Sequence, residues 1–203
     1  MKATRFVTHA LGILGVLAIL VGTAEAGPPL ICHPFDAGSA ALLPWGTGEG
    51  WNTPSKSYNV QQLVSDTMRL LSPDAPVLAR MENLRRATIY AGTDARVAAA
   101  LMTAVQARAS AGAKDALASF DAGYLIESYK QAADSRLGVA RPTADGYALV
   151  RTAIQMTGAN PAMEFAAALM TQGATATAHQ QRARAGAPAG SPLATNIAKL
   201  FSN

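Results

Sequence analysis

Cysteine is nearly missing from this chain: Cys32 stands alone among 203 residues. One cysteine cannot close an internal disulfide, so the fold must be held by packing, and Cys32 is left free, buried or paired with another molecule. Aromatic residues are also few, at 6 %, and 17 basic against 13 acidic residues give a net charge of only +4. The basic residues stand singly or in short sets such as Arg85-Arg86 and Arg182 with Arg184. A nucleic-acid groove needs a concentrated basic footprint, which argues against that partner class. From Ser57 onward the chain also lacks the alternation of apolar and polar residues that marks a half-buried strand, so a β-rich domain is not expected.

What is present begins with a leader. Lys2 and Arg5 precede an apolar run, ALGILGVLAILVG, and Ala24-Glu25-Ala26 has the small-x-small form of a cleavage site. The expectation is a signal peptide over 1–26 and export to the periplasm or beyond. Removal of 1–26 leaves 177 residues with a net charge of +3, enough for one core. Retained as an anchor, Phe6 to Ala24 would be nearly long enough to span a bilayer; apart from that segment no membrane association is expected. Pro29-Leu30-Ile31 before Cys32 is not a lipobox.

Residues 57–173 fall into helical beats. Asn59 caps a helix carrying Val60, Leu63, Val64, Thr67 and Leu71, closed by Ser72-Pro73. A second carries Val77, Met81, Leu84, Thr88 and Ala91, with Glu82, Arg85 and Arg86 on its opposite side and Gly92 as its C-cap. Thr93 or Asp94 opens a third, which runs to Gly112, and Asp115 opens a fourth. The fourth has a wide apolar surface of Leu117, Phe120, Tyr124, Leu125, Ile126 and Tyr129, as a helix packed between neighbours would. After a loop over 134–143, two more helices span about 144–157 and 160–172, with Gly158 and Gly173 as C-caps and Pro161 in the first turn. Polar residues around 178–184 continue a helix or begin a tail, and Ser191-Pro192 starts a short amphipathic helix in a C-terminal segment over 174–203.

The starts at Asp74, Asp94 and Asp115 are one helix plus a short turn apart, so successive helices are expected to pair antiparallel. The fold class this implies is all-α, an antiparallel α-hairpin array of solenoid type with an extended N-terminal arm over 27–56.

That arm, GPPLICHPFDAGSAALLPWG and the loop after it, holds the densest chemistry. Cys32 and His33 are adjacent, but Pro34 biases His33 toward extended backbone, where neighbouring side chains point apart. A thiol needs its base within hydrogen-bond reach, which leaves His179 as the only other partner in the exported part. Zinc wants four ligands, and Cys32, His33 and His179 form at most a weak metal set. No catalytic residue and no cofactor is expected on these grounds. GTGEG lacks the lysine and the strand of a phosphate loop. Trp45, Trp51, Tyr124 and Tyr129 are the candidate binding residues, as aromatic anchors of a groove. Asp121, Glu127 and Glu164 lie in apolar segments; ion pairing with Arg85 or Arg151 accounts for them better than acid–base work, although Glu127 could meet Glu164 between helices.

PLICHPFD with LPWG, MENLRRATIYAG, and FDAGYLIESYKQA with GYALVRTAI and AMEFAAALM resemble segments of a group of exported bacterial proteins of no assigned activity. FDAGYLIESYKQA and NPAMEFAAALM are also loosely similar to tetratricopeptide-like α-hairpin proteins. The first resemblance implies export and no activity; the second implies a fold alone. The function expected is therefore a non-catalytic envelope protein, a helical scaffold for a protein or peptide partner. The alternative is an enzyme or metal carrier centred on Cys32 and His33.

Overall fold

The computed structural model describes residues 30–111 and 114–201. The expected leader and cleavage site, and the expected helix end at Gly112, lie outside the described residues. Within them the chain is all-helical: a 3-10 turn at Val60–Gln62, then α1 Leu63–Leu70, α2 Val77–Ala91, α3 Ala95–Ala111, α4 Ala116–Asp134, α5 Gly146–Thr157, α6 Pro161–Met170, α7 Gly173–Gly186 and α8 Pro192–Leu200. No helix among them is long and apolar enough to cross a membrane.

The helix starts are local events. Asn59, Asp115, Asp145, Asn160 and Ser191 each accept a hydrogen bond from a backbone N–H one turn ahead, satisfying donors that the helix leaves open. Gly92 is the C-cap of α2, as expected, whereas Gly173 is not that of α6. Gly92 has an ordinary right-handed φ of −60°, and a Cβ there would sit 2.0 Å from the Leu137 carbonyl oxygen, so close backbone approach selects it. Gly173, at φ +58°, opens α7 instead of closing α6. The C-terminal segment accordingly holds two helices where one short helix and a tail were expected.

α4 is the centre. It packs on α2, α3, α5 and α6, and Phe120, Tyr124, Leu125 and Ile126 are all buried. The breadth of its apolar surface has this cause. Gly123 of α4 and Gly146 of α5 meet backbone to backbone, since a Cβ on either would lie about 2.5 Å or less from the other's carbonyl oxygen. A small-residue crossing of this kind lets two helices approach more closely than side chains permit, and it sets where Tyr147, the next residue, leaves α5. α6 packs chiefly on α7, and α2 also reaches α6.

The arm, Leu30 to Tyr58, has no regular structure, yet Leu30, Ile31, Phe35 and Leu43 are buried. Backbone without a strand partner must find its hydrogen bonds elsewhere, and α2 supplies them through the MENLRRATIYAG segment. Glu82 accepts from the Phe35 N–H at 3.0 Å, Asn83 accepts from the Leu43 N–H at 2.8 Å, and Tyr90 donates to Pro44 O at 2.7 Å. Arg85 donates to Ile31 O and Trp51 O, and Arg86 to Leu43 O. α8 holds the arm from the other end: the Asn196 amide accepts from the Asp36 N–H at 2.9 Å and donates to Asp36 O at 2.8 Å. The face of α2 with Glu82 and Arg85, which its polarity would assign to solvent, is therefore fully buried under the arm.

Candidate functional site

Two sets of titratable side chains are buried around α2. Glu82 is clamped by Arg85 at 2.8 Å and Arg86 at 2.7 Å, and these bonds hold its carboxyl below the usual range against the opposing effect of burial. Arg80 of α2 meets Asp121 of α4 at 2.6 Å, with Arg108 at 3.4 Å on the same oxygen. Burial still dominates at Asp121 and pushes its carboxyl up to about 7. Its Oδ1, like the Tyr124 and Ser128 hydroxyls one and two turns along α4, has no hydrogen-bond partner among the described residues. These groups are enclosed and present nothing to a ligand.

The candidate site lies between α5, α6 and α7, where an open cleft of about 470 Å³ is lined by Tyr147, Arg151, Glu164, Ala178, His179 and Arg182 among others. The helical period builds it. Tyr147, Arg151 and Gln155 project from one face of α5 at four-residue steps, while Thr175, His179 and Arg182 project from α7 at steps of four and three. Glu164, in the first turn of α6, is 3 % exposed and turns toward α7.

His179 is the hinge of this set. Its Nδ1 bonds Glu164 Oε2, and its Nε2 lies 2.8 Å from the Tyr147 hydroxyl. A carboxylate only accepts, so Nδ1–H donates to Glu164 and Nε2 faces the Tyr147 hydroxyl. Arg182 Nε donates to the other oxygen of Glu164 at 2.9 Å. Its Nη2 lies 2.8 Å from Nδ1, a close approach and not a bond while Nδ1 holds its proton. The Arg151 guanidinium lies over the Tyr147 ring, 5.8 Å from its centre. The result is a buried carboxylate, an oriented imidazole and a half-buried phenol in line, with two guanidinium groups at the rim.

The residues singled out in the sequence are dispersed. Tyr124 is fully buried and Tyr129 is 3 % exposed, its hydroxyl spent on Ala98 O, so neither ring is open to a partner. Trp45 and Trp51 are half-buried at the arm; Trp45 stacks beneath Arg85 and Arg86, at 5.0 and 5.4 Å, and edges onto Tyr90. The four do not form one aromatic groove. Cys32 and His33 are half-buried, and burial pushes the thiol up and the imidazole down, in each case favouring the neutral form. Because His179 spends both ring nitrogens on Glu164 and Tyr147, it offers none to Cys32. Among the described residues no three His, Cys, Asp or Glu side chains gather as a metal set, so Cys32, His33 and His179 do not converge.

Glu127 does not meet Glu164: it pairs with Lys130 and accepts from the Gly146 N–H, joining α4 to the start of α5. Asp121 pairs with Arg80 instead of Arg85 or Arg151. Sequence reasoning missed Tyr147, Arg151 and Arg182 as site residues. The signal was the four-residue step from Tyr147 to Arg151 together with His179 and Arg182 three apart, legible only once α7 is known to be a helix packed on α6.

Comparison of the chain with family models, with curated protein sequences and with solved structures finds no match.

Proposed function

We propose that this is an exported helical binding protein whose ligand site is the α5–α7 cleft, and that the ligand presents an anionic group, a carboxylate or a phosphate. The observation that carries this reading is Arg151. Its guanidinium rests on the Tyr147 ring and, among the described residues, against no carboxylate, at the mouth of a cleft whose second guanidinium, Arg182, is 48 % exposed. Glu164 neutralises one cation from below and leaves the other for a ligand, while Tyr147 adds a hydroxyl of fixed position. Planar guanidinium groups suit carboxylate and phosphate oxygens, which they engage by paired N–H donors. The leader supports export. Short turns between successive helices support their arrangement as stacked antiparallel hairpins, and the carboxylate end of a peptide satisfies the same chemistry as a small acid.

The test is a titration of the full exported chain at low ionic strength with acetate, inorganic phosphate and a short peptide in free-acid and amidated forms, followed by NMR. Saturable shifts of the His179 ring and the α7 amides are expected for the anions and the free-acid peptide. Loss of one charge-assisted contact in Arg151→Gln should weaken binding about tenfold, whereas Arg141→Gln, which loses a pair with exposed Asp134, should leave it unchanged. Equal affinity in Arg151→Gln, or shifts that never saturate, would remove the reading.

A further inference from the structure

The order of groups at the cleft is that of an activated nucleophile: a carboxylate that orients an imidazole, and an imidazole that faces a hydroxyl. We infer that Tyr147 is a nucleophile for acyl transfer, with His179 as its general base and Glu164 as the residue that positions the base, and that the acyl donor is an ester bearing a carboxylate. The inference rests on the anion-binding reading for the choice of donor, not for the reactivity of Tyr147.

Three observations carry it. The Tyr147 Oη to His179 Nε2 distance of 2.8 Å is within the reach that base activation of a hydroxyl requires. Glu164, 3 % exposed, holds Nδ1 and so turns Nε2, the nitrogen that would take the proton, toward Tyr147. Tyr147 lines the cleft and is half-buried, unlike Tyr124 and Tyr129, which are closed off by burial. A purely structural role would satisfy Glu164 with Arg182 alone; it does not call for a half-exposed phenol at the far ring nitrogen.

The step balances without a cofactor. Tyr147 Oη forms a bond to the ester carbonyl carbon as its proton passes to His179 Nε2; the carbon–oxygen bond to the leaving group then breaks, and the leaving oxygen takes that proton. The products are an acylated Tyr147 and a free alcohol or phenol, with no change of oxidation state. Arg151 is placed to hold the carboxylate of the donor.

The experiment incubates the full chain with p-nitrophenyl acetate and with mono-p-nitrophenyl succinate, follows p-nitrophenolate release, and maps the acyl group by peptide mass spectrometry. Stoichiometric release with the acyl group on Tyr147 is expected from both probes. Loss of the base in His179→Asn should slow acylation of Tyr147 by about a hundredfold, and Tyr147→Phe should abolish the burst. Acyl groups spread over lysines and other tyrosines with none on Tyr147 would overturn the inference; so would a Tyr147 rate unchanged in His179→Asn. Mapping of the unsubstituted chain decides the matter even where His179→Asn folds poorly. The neutral acetate probe reports nucleophilicity alone. A preference for the succinate probe that vanishes in Arg151→Gln reports the anion site, so the two readings fail separately.

Discussion

The cluster under the arm and the cluster at the α5–α7 cleft are built from the same parts, a carboxylate 0–3 % exposed and helix-borne cations within 3 Å of it, yet they end differently. At Glu82 the guanidinium groups go on to arm backbone: Arg85 reaches Ile31 and Trp51, and Arg86 reaches Leu43. At Glu164 the chain of bonds ends on the Tyr147 hydroxyl and on a half-exposed Arg182, residues that line a cleft. A buried carboxylate is thus no guide to function by itself. What distinguishes the two is where the network ends, on irregular backbone in one and on residues that line a cleft in the other.

Removal of the carboxylate at the closed cluster should have the largest effect. Glu82→Ala leaves two guanidinium groups under the arm, and a buried charge stripped of its partner costs about 3–5 kcal/mol. Urea unfolding measures it, and a loss below about 1 kcal/mol would mean that the arm is not seated by this network.

Asp121 provides a pH test of the same enclosed region. Its carboxyl releases a proton near 3.8 in the unfolded chain and near 7 in the folded one, so between those values the folded state holds the extra proton. Stability from this group is therefore greatest below pH 3.8 and declines as pH rises to about 7. Urea midpoints across that interval should fall less steeply in Asp121→Asn than in the unsubstituted chain; identical slopes would show that the Arg80 and Arg108 contacts outweigh burial.

Asn196 joins α8 to the arm by two bonds to Asp36. Asn196→Ala leaves that backbone unmatched, and a loss of about 1–3 kcal/mol is expected, accompanied by faster proteolysis within 30–40 if the arm is released as a unit. At the open cluster the smallest effect is predicted. Tyr147→Phe removes one half-exposed hydrogen bond and should change stability by about 1 kcal/mol or less while it eliminates acyl transfer. A cost as large as that of Glu82→Ala would erase the distinction between the clusters.

Much of the helical plan is legible from local chemistry. Asn59, Asp115, Asp145 and Asn160 announce their helices because a cap is a contact between residues two or three apart, and the wide surface of the fourth helix announces its central place because burial on several sides leaves no room for polar groups. The candidate site is legible only in pieces. His179 is visible as a rare residue, and Glu164 as an acid in an apolar helix, but their meeting spans 15 residues and that of His179 with Tyr147 spans 32. Aromatic content pointed instead to Tyr124 and Tyr129, since the same ring serves a core as well as it serves a groove. Glu82 and Arg85 read as solvent-facing because their α2 neighbours Met81 and Leu84 supply a sufficient apolar face.

The sequence by itself determined where the side-chain-capped helices begin, the apolar face that most of them bury, and that a proline-rich arm precedes them, all consequences of short-range backbone and side-chain preferences. Tertiary structure alone decided that the arm would cover the charged side of α2 and that α5, α6 and α7 would bring a phenol, an imidazole and a carboxylate into line. The physical reason is range: hydrogen bonds and ion pairs act over about 3 Å, so their chemistry exists only after the packing of distant helices has set the distance.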